Sequence, residues 1–200
     1  MGYFGYRLRR GIKRSDGPCG PVSDHRKPLA IVRQKLACLH RRSPCQPQFN
    51  LRTILASYVC SFVGIAVLAY LATGTGYPLI AAPFGATAVL VFGVPDSPFA
   101  QPRNVIGGNV MGAIISVALV ALFGTEPWVM ALAVATTIKV MQLTHAVHPP
   151  GGAVALVGVM SGASPGFVLA PVLVGSVLLV LFTAAFGCWI PGRPYPKHWL

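Results

Sequence analysis

Acidic residues are scarce in this chain. Only 4 of 200 residues are Asp or Glu, and charged residues of both signs make up just 10%. Soluble domains carry about 25% charge, whereas here 54% of residues are hydrophobic and the mean hydropathy is +0.65. A core built from 200 residues cannot hide that much apolar surface, so water is the wrong solvent for most of the protein. The same apolar richness excludes a disordered chain. Cysteines number five, which is few and odd for a disulfide scaffold. A Ser/His/acid set, paired carboxylates inside the apolar part and a phosphate-binding loop are all missing, which argues against an enzyme.

Positive charge is plentiful but local. Of the net +12, residues 1–52 hold 12 Lys or Arg against 2 Asp or Glu. Residues 53–190 carry only Arg103 and Lys139 against Asp96 and Glu126, and Arg193 and Lys197 follow. A nucleic-acid binder spreads its charge over a folded polar surface. Here the charge flanks an apolar body, the pattern of a cytoplasmic anchor. The expected partner is therefore a lipid bilayer and not a nucleic acid. The chain divides into a basic, largely disordered cytoplasmic tail (1–50), a transmembrane domain (51–192) and a short C-terminal tail (193–200). A basic amphipathic helix near Leu29–His40 would suit anionic lipid. The tail has few serines for an organelle transit peptide, so the cell inner (plasma) membrane is the first expectation and an organelle inner membrane the second. Cys38, His40 and Cys45 fit no standard zinc spacing. No metal and no cofactor are expected.

Four apolar runs read as unbroken helices: Thr53–Thr73, Asn104–Phe123, Pro127–Leu143 and Phe167–Ile190. Trp128 reads as an interfacial anchor. Two further segments, Tyr77–Val94 and Thr144–Met160, are apolar but broken by Pro78 and Pro83 and by Pro149 and Pro150. The expected fold is an all-α membrane protein with four full transmembrane helices and two proline-broken half-helix segments. These segments align with each other. Pro83-Phe84-Gly85-Ala86-Thr87-Ala88 matches Pro150-Gly151-Gly152-Ala153-Val154-Ala155, and the same register pairs Ser97-Pro98 with Ser164-Pro165 and Gly108 with Gly175. The pattern predicts a duplicated unit of helix, broken segment and helix.

Proline pushes the residue before it toward extended backbone and sits well in the first turn of a helix. Extended approaches are thus expected over Tyr77–Ala82 and Thr144–His148. Short helices are expected near Phe84–Gly93 and Gly151–Met160, each about 15 Å long, half a bilayer core. Such segments either cross as strand plus half-helix or dip in and return. Crossing gives six passes and places Arg103 on the cytoplasmic side with the basic tail, which the charge rule favours. Half-helix starts at mid-membrane present positive dipole ends to an anion.

The densest motif is His145-Ala146-Val147-His148-Pro149-Pro150-Gly151-Gly152-Ala153. With Pro83-Phe84-Gly85-Ala86 and the stretch Ser97–Gly108, it resembles the HPP family of integral membrane proteins over roughly residues 50–190. The resemblance implies four membrane helices. It also implies a transport role, since a plant chloroplast member is known as a nitrite transporter; many bacterial members have no assigned substrate. Some members carry a pair of CBS modules, which residues 1–200 are not expected to contain. The family often has Ser where Thr87 stands and His where Asn109 stands.

The expected function is a permease or channel for a small inorganic anion, nitrite by resemblance. The alternative is a membrane-embedded sensor or scaffold subunit that moves nothing. The candidate anion site is the backbone at Gly85, Ala86, Gly151 and Gly152, with the side chains of Thr87 and His148 and with Lys139 on the approach. His148 also reads as a helix cap bonded to a carbonyl, and a metal ligand is a third reading. Lys139 also reads as a snorkelling side chain, the glycines as close-packing positions, and Asp96 and Arg103 as a pair across their loop. Gly108-x-x-x-Gly112 and Gly158-x-x-x-Gly162 read first as internal helix contacts. Homo-oligomerisation stays open.

Overall fold

The computed structural model describes residues 49–75, 82–189 and 195–197. The expected tail helix, the Cys38–Cys45 cluster and the approach over residues 77–81 lie outside them. Among the described residues there is no strand. Helix α1 spans Leu51–Thr75, and Asn50 Oδ1 caps its start by accepting from the Thr53 N–H at 2.8 Å. Helix α2, Ala82–Ala88, runs on through a π-helical turn, Val89–Gly93. A 3-10 turn, Pro98–Ala100, leads to α3, Pro102–Phe123, and then α4 spans Pro127–Leu143. Helix α5 is Pro149–Met160, and a π-helical turn, Val168–Leu173, opens into α6, Val174–Trp189.

Proline opens α3, α4 and α5, where its missing N–H loses no helical bond. His148 before Pro149 is extended, with φ −136° and ψ 105°.

Three helices, not the expected four, are long and apolar enough to cross a membrane: Leu51–Thr73, Pro102–Phe123 and Val168–Gly187. The fourth forms over Pro127–Leu143 as expected, but its 17 residues reach only about 25 Å. It stops because the Ala146 N–H turns back to the Met141 carbonyl and His145 takes φ 54°. The expected unbroken run Phe167–Ile190 is broken at Ala170 (φ −132°, ψ 118°). Pro171 has no N–H to donate and its ring crowds the preceding turn.

Contacts between helix ends order the bundle. Ser57 Oγ donates to the Phe92 carbonyl at 2.8 Å, so the start of α1 lies beside the end of the Ala82–Gly93 helix. Arg103 Nη2 donates to the Thr144 carbonyl at 3.1 Å, joining the start of α3 to the end of α4. The Tyr195 hydroxyl donates to the Ala100 carbonyl at 2.9 Å. All these sit at one end of the bundle. At the other end Thr125 meets Gly162, where a Cβ would stand 3.6 Å from Thr125 Cγ2. The second broken segment therefore runs from one end, at Thr144, to the other, at Gly162, and the described part of the first, Ala82–Gly93, finishes at the end where α1 starts.

Helix α3 lies against α5, α4 and the α6 region. Its contact with α5 is backbone on backbone: a Cβ on Gly151 would stand 2.4 Å from the Gly108 carbonyl oxygen, and one on Gly112 would stand 2.2 Å from that of Gly151. Only glycine permits this approach. Phe84, Val91, Val105 and Leu179 fill the core on the other side.

Candidate functional site

The extended residue before Pro149 aims the His148 side chain into the bundle, where it is fully buried. Its Nδ1 lies 2.8 Å from the carbonyl of Phe99, the middle residue of the 3-10 turn before α3. Its Nε2 lies 3.1 Å from Thr87 Oγ1 on α2. Thr87 Oγ1 also lies 3.1 Å from the Pro83 carbonyl one turn back. Met141 closes the site from α4, its Sδ accepting from the His148 N–H at 3.5 Å. Gly108 of α3 lies under the His148 Cβ, leaving no room for a side chain. The imidazole thus joins both broken segments, tying the start of α5 to the middle of the Ala82–Gly93 helix.

The other candidates separate. Gly151 is buried under the α3 backbone, and its N–H donates to the His148 carbonyl at 2.9 Å. Pro149 and Pro150 have no N–H, so the first three residues of α5 offer no free backbone donor. Gly152 is half-buried, its nearest neighbour beyond the helix being Val134 of α4 at 3.9 Å from an added Cβ. Gly85 and Ala86 are exposed on the face of α2 away from Thr87, and Gly85 borders a 520 Å³ groove between α1 and α2. Lys139 is exposed on α4, about one turn before the end that Arg103 reaches.

Asp96 does not pair with Arg103: Lys197 Nζ meets Asp96 Oδ1 at 2.8 Å, and Arg103 turns to Thr144. No group of His, Cys, Asp and Glu among the described residues could hold a metal.

Sequence reading passed over one buried polar pair. Asn109 Nδ2 donates to Ser176 Oγ at 3.0 Å, joining α3 to α6 with both residues fully buried. Among the described residues, Asn109 Oδ1 and Thr137 Oγ1 are buried without a partner. The signal was present, since Asn109 and Ser176 follow the matched glycines Gly108 and Gly175 and are themselves 67 positions apart. Gly175 packs under the Phe84 ring as Gly151 packs under the Gly108 backbone.

A helical bundle with three membrane-length apolar helices, further short apolar helices and a buried polar link inside it defines a multi-pass membrane protein. A family model described as HPP, transmembrane region, matches residues 46–196, and the chain belongs to that family. A transmembrane protein of Dictyostelium discoideum is 38% identical over 162 residues, covering 75% of this chain and 57% of its own length. A second from the same organism is 39% identical over 162 residues, covering 75% of this chain and 52% of its own. The chain thus spans about half the length of these curated relatives. No solved structure matches it.

Proposed function

We propose that the chain is a permease for a small inorganic anion, nitrite being the first candidate, in the cell inner (plasma) membrane. The observation that carries this reading is the His148–Thr87 hydrogen bond, which links the two broken segments inside the bundle. Broken segments that meet inside a bundle are a transporter device, because irregular backbone survives within the membrane only around a protected or wet site.

An inverted duplication supports the same reading. Ala82–Gly93 and Pro149–Met160 are 67 positions apart at both ends, and the helices before and after them follow the same order with opposite direction. Exchanging each position with its partner 67 away turns the Phe84–Gly175 approach into the Gly151–Gly108 approach. It leaves the Asn109–Ser176 bond unchanged, so that bond sits on the axis relating the halves. Rocking of one half against the other would then alternate access to the centre.

With the first residues of α5 lacking free N–H groups, the anion's partners are the side chains of His148 and Thr87 aided by the dipole of α5. Lys139 attracts anions at the cytoplasmic approach. Purified protein in vesicles should take up nitrite faster than protein-free vesicles. Gly152→Leu, which enlarges a half-buried position beside the site, should stop uptake in folded protein. Lys139→Gln should slow uptake more at low than at high ionic strength. Folded protein that moved neither nitrite nor other small anions would instead be a sensor or scaffold subunit.

A further inference from the structure

Hydrogen counting around His148 leaves one hydroxyl with two neighbours. The Phe99 carbonyl only accepts, so Nδ1, at 2.8 Å from it, carries a hydrogen. Thr87 has one hydroxyl hydrogen, and both His148 Nε2 and the Pro83 carbonyl lie 3.1 Å from its oxygen. With a neutral ring, the hydroxyl donates to Nε2. With a second proton on the ring, Nε2–H donates to Thr87 Oγ1, and the hydroxyl hydrogen is freed to turn to Pro83 or to a bound anion. One rotation about a single C–O bond serves both states. A buried histidine kept only for packing needs partners in one state alone.

Charge is the second observation. Helix α2 and its π-helical turn carry no titratable group. The loop at 94–101 carries Asp96, which is exposed and paired with Lys197. Helix α3 carries Arg103, bonded to Thr144, and α4 carries exposed Lys139, with exposed His145 following it. Tyr195 faces the loop through its bond to Ala100, and Glu126 lies at the far end of the bundle, beside the Thr125–Gly162 contact. No carboxylate among the described residues is bonded to the imidazole. An imidazolium buried alone is costly, an anion buried alone is costly, and the two together offset each other.

We propose that His148 binds one proton with each anion, so that the permease carries the two as a neutral pair, with Thr87 as the positioning hydroxyl for both ring states. This rests on the permease reading above. The proton adds to the Nε2 lone pair from water on one side and leaves to water on the other; no other bond is made or broken. Because each ligand stabilises the other, proton and anion affinities rise together.

The test uses the full chain in vesicles holding a trapped pH dye, with potassium and valinomycin setting the membrane potential. A nitrite gradient directed inward near neutral pH should acidify the interior by about one proton per nitrite beyond the protein-free background, with uptake insensitive to the imposed potential. Uptake that follows the potential without acidification would overturn the proposal and leave the permease standing. No uptake by folded protein would overturn both. Thr87→Ser should stay within about threefold of the parent rate, while Thr87→Val should fall about tenfold or more and His148→Gln should lose proton movement. Proton and nitrite movement at parental rates in Thr87→Val or His148→Gln would also overturn it.

Discussion

Gly85 and Gly151 both lie near the starts of the short helices, yet their surroundings are opposite. An added Cβ meets nothing within 4 Å at Gly85, whereas at Gly151 it would stand 2.4 Å from the Gly108 carbonyl oxygen. A side chain there must push α5 off α3, and overpacking of this kind costs about 1–3 kcal/mol. Gly151→Ala should therefore lower the unfolding midpoint in detergent, while Gly85→Ala should leave it unchanged. An equal loss in both variants would mean that the α3–α5 contact is not the tight one. The close-packing reading of the sequence thus holds for Gly151 and not for Gly85. Sequence can mark a glycine as small but cannot say what faces it. The same limit explains Asp96 and Arg103. They share a loop, but their partners, Lys197 and Thr144, come from distant parts of the chain.

Helix positions were legible because proline marks their starts. Pro127–Leu143 forms over the expected residues, and the half-helices begin at Ala82 and Pro149, one residue before the prolines aligned in the repeat. Whether a run is membrane-length was less legible, since hydropathy alone registers neither the turn that ends α4 at 17 residues nor the kink at Ala170. The C-terminal strap was not legible at all, because three short-range bonds hold it to a loop about 96 positions earlier. Tyr195 is on Ala100, the Lys197 N–H on Gln101 Oε1, and Lys197 Nζ on Asp96. Burial pushes the Tyr195 phenol above its ordinary value of 10.0, keeping it protonated and donating. A raised folded-state value gives stability that is whole below the unfolded value and lost as pH rises above it. The strap should thus loosen only in alkali above about pH 10. Tyr195→Phe should remove that alkaline step from a pH series of unfolding midpoints. An unchanged step would assign it to another group.

The orientation of the whole molecule follows from joining helix ends to charge. The start of α1, the 94–101 loop, the end of α4 and residues 195–197 share one end of the bundle, and Thr125 and Gly162 mark the other. By the charge rule, the 12 basic residues before Thr53 predict that the first end faces the cytoplasm. That orientation would put Arg103 and Lys197 inside and Glu126 outside, in agreement with the sign bias. In protein stripped of native cysteines, Thr125→Cys should react with an impermeant thiol reagent added to intact cells. Ser97→Cys should react only after the membrane is opened. Had the first broken segment returned to the side it came from, Ser97 would face outside with the N-terminus still inside, and the two halves would run parallel. Rapid labelling of Ser97→Cys from outside would therefore remove the inverted repeat, and with it the axis through Asn109 and Ser176 and the alternating-access argument. Protection of Ser97→Cys with labelling of Thr125→Cys leaves crossing as the geometry that satisfies both the contacts and the charge.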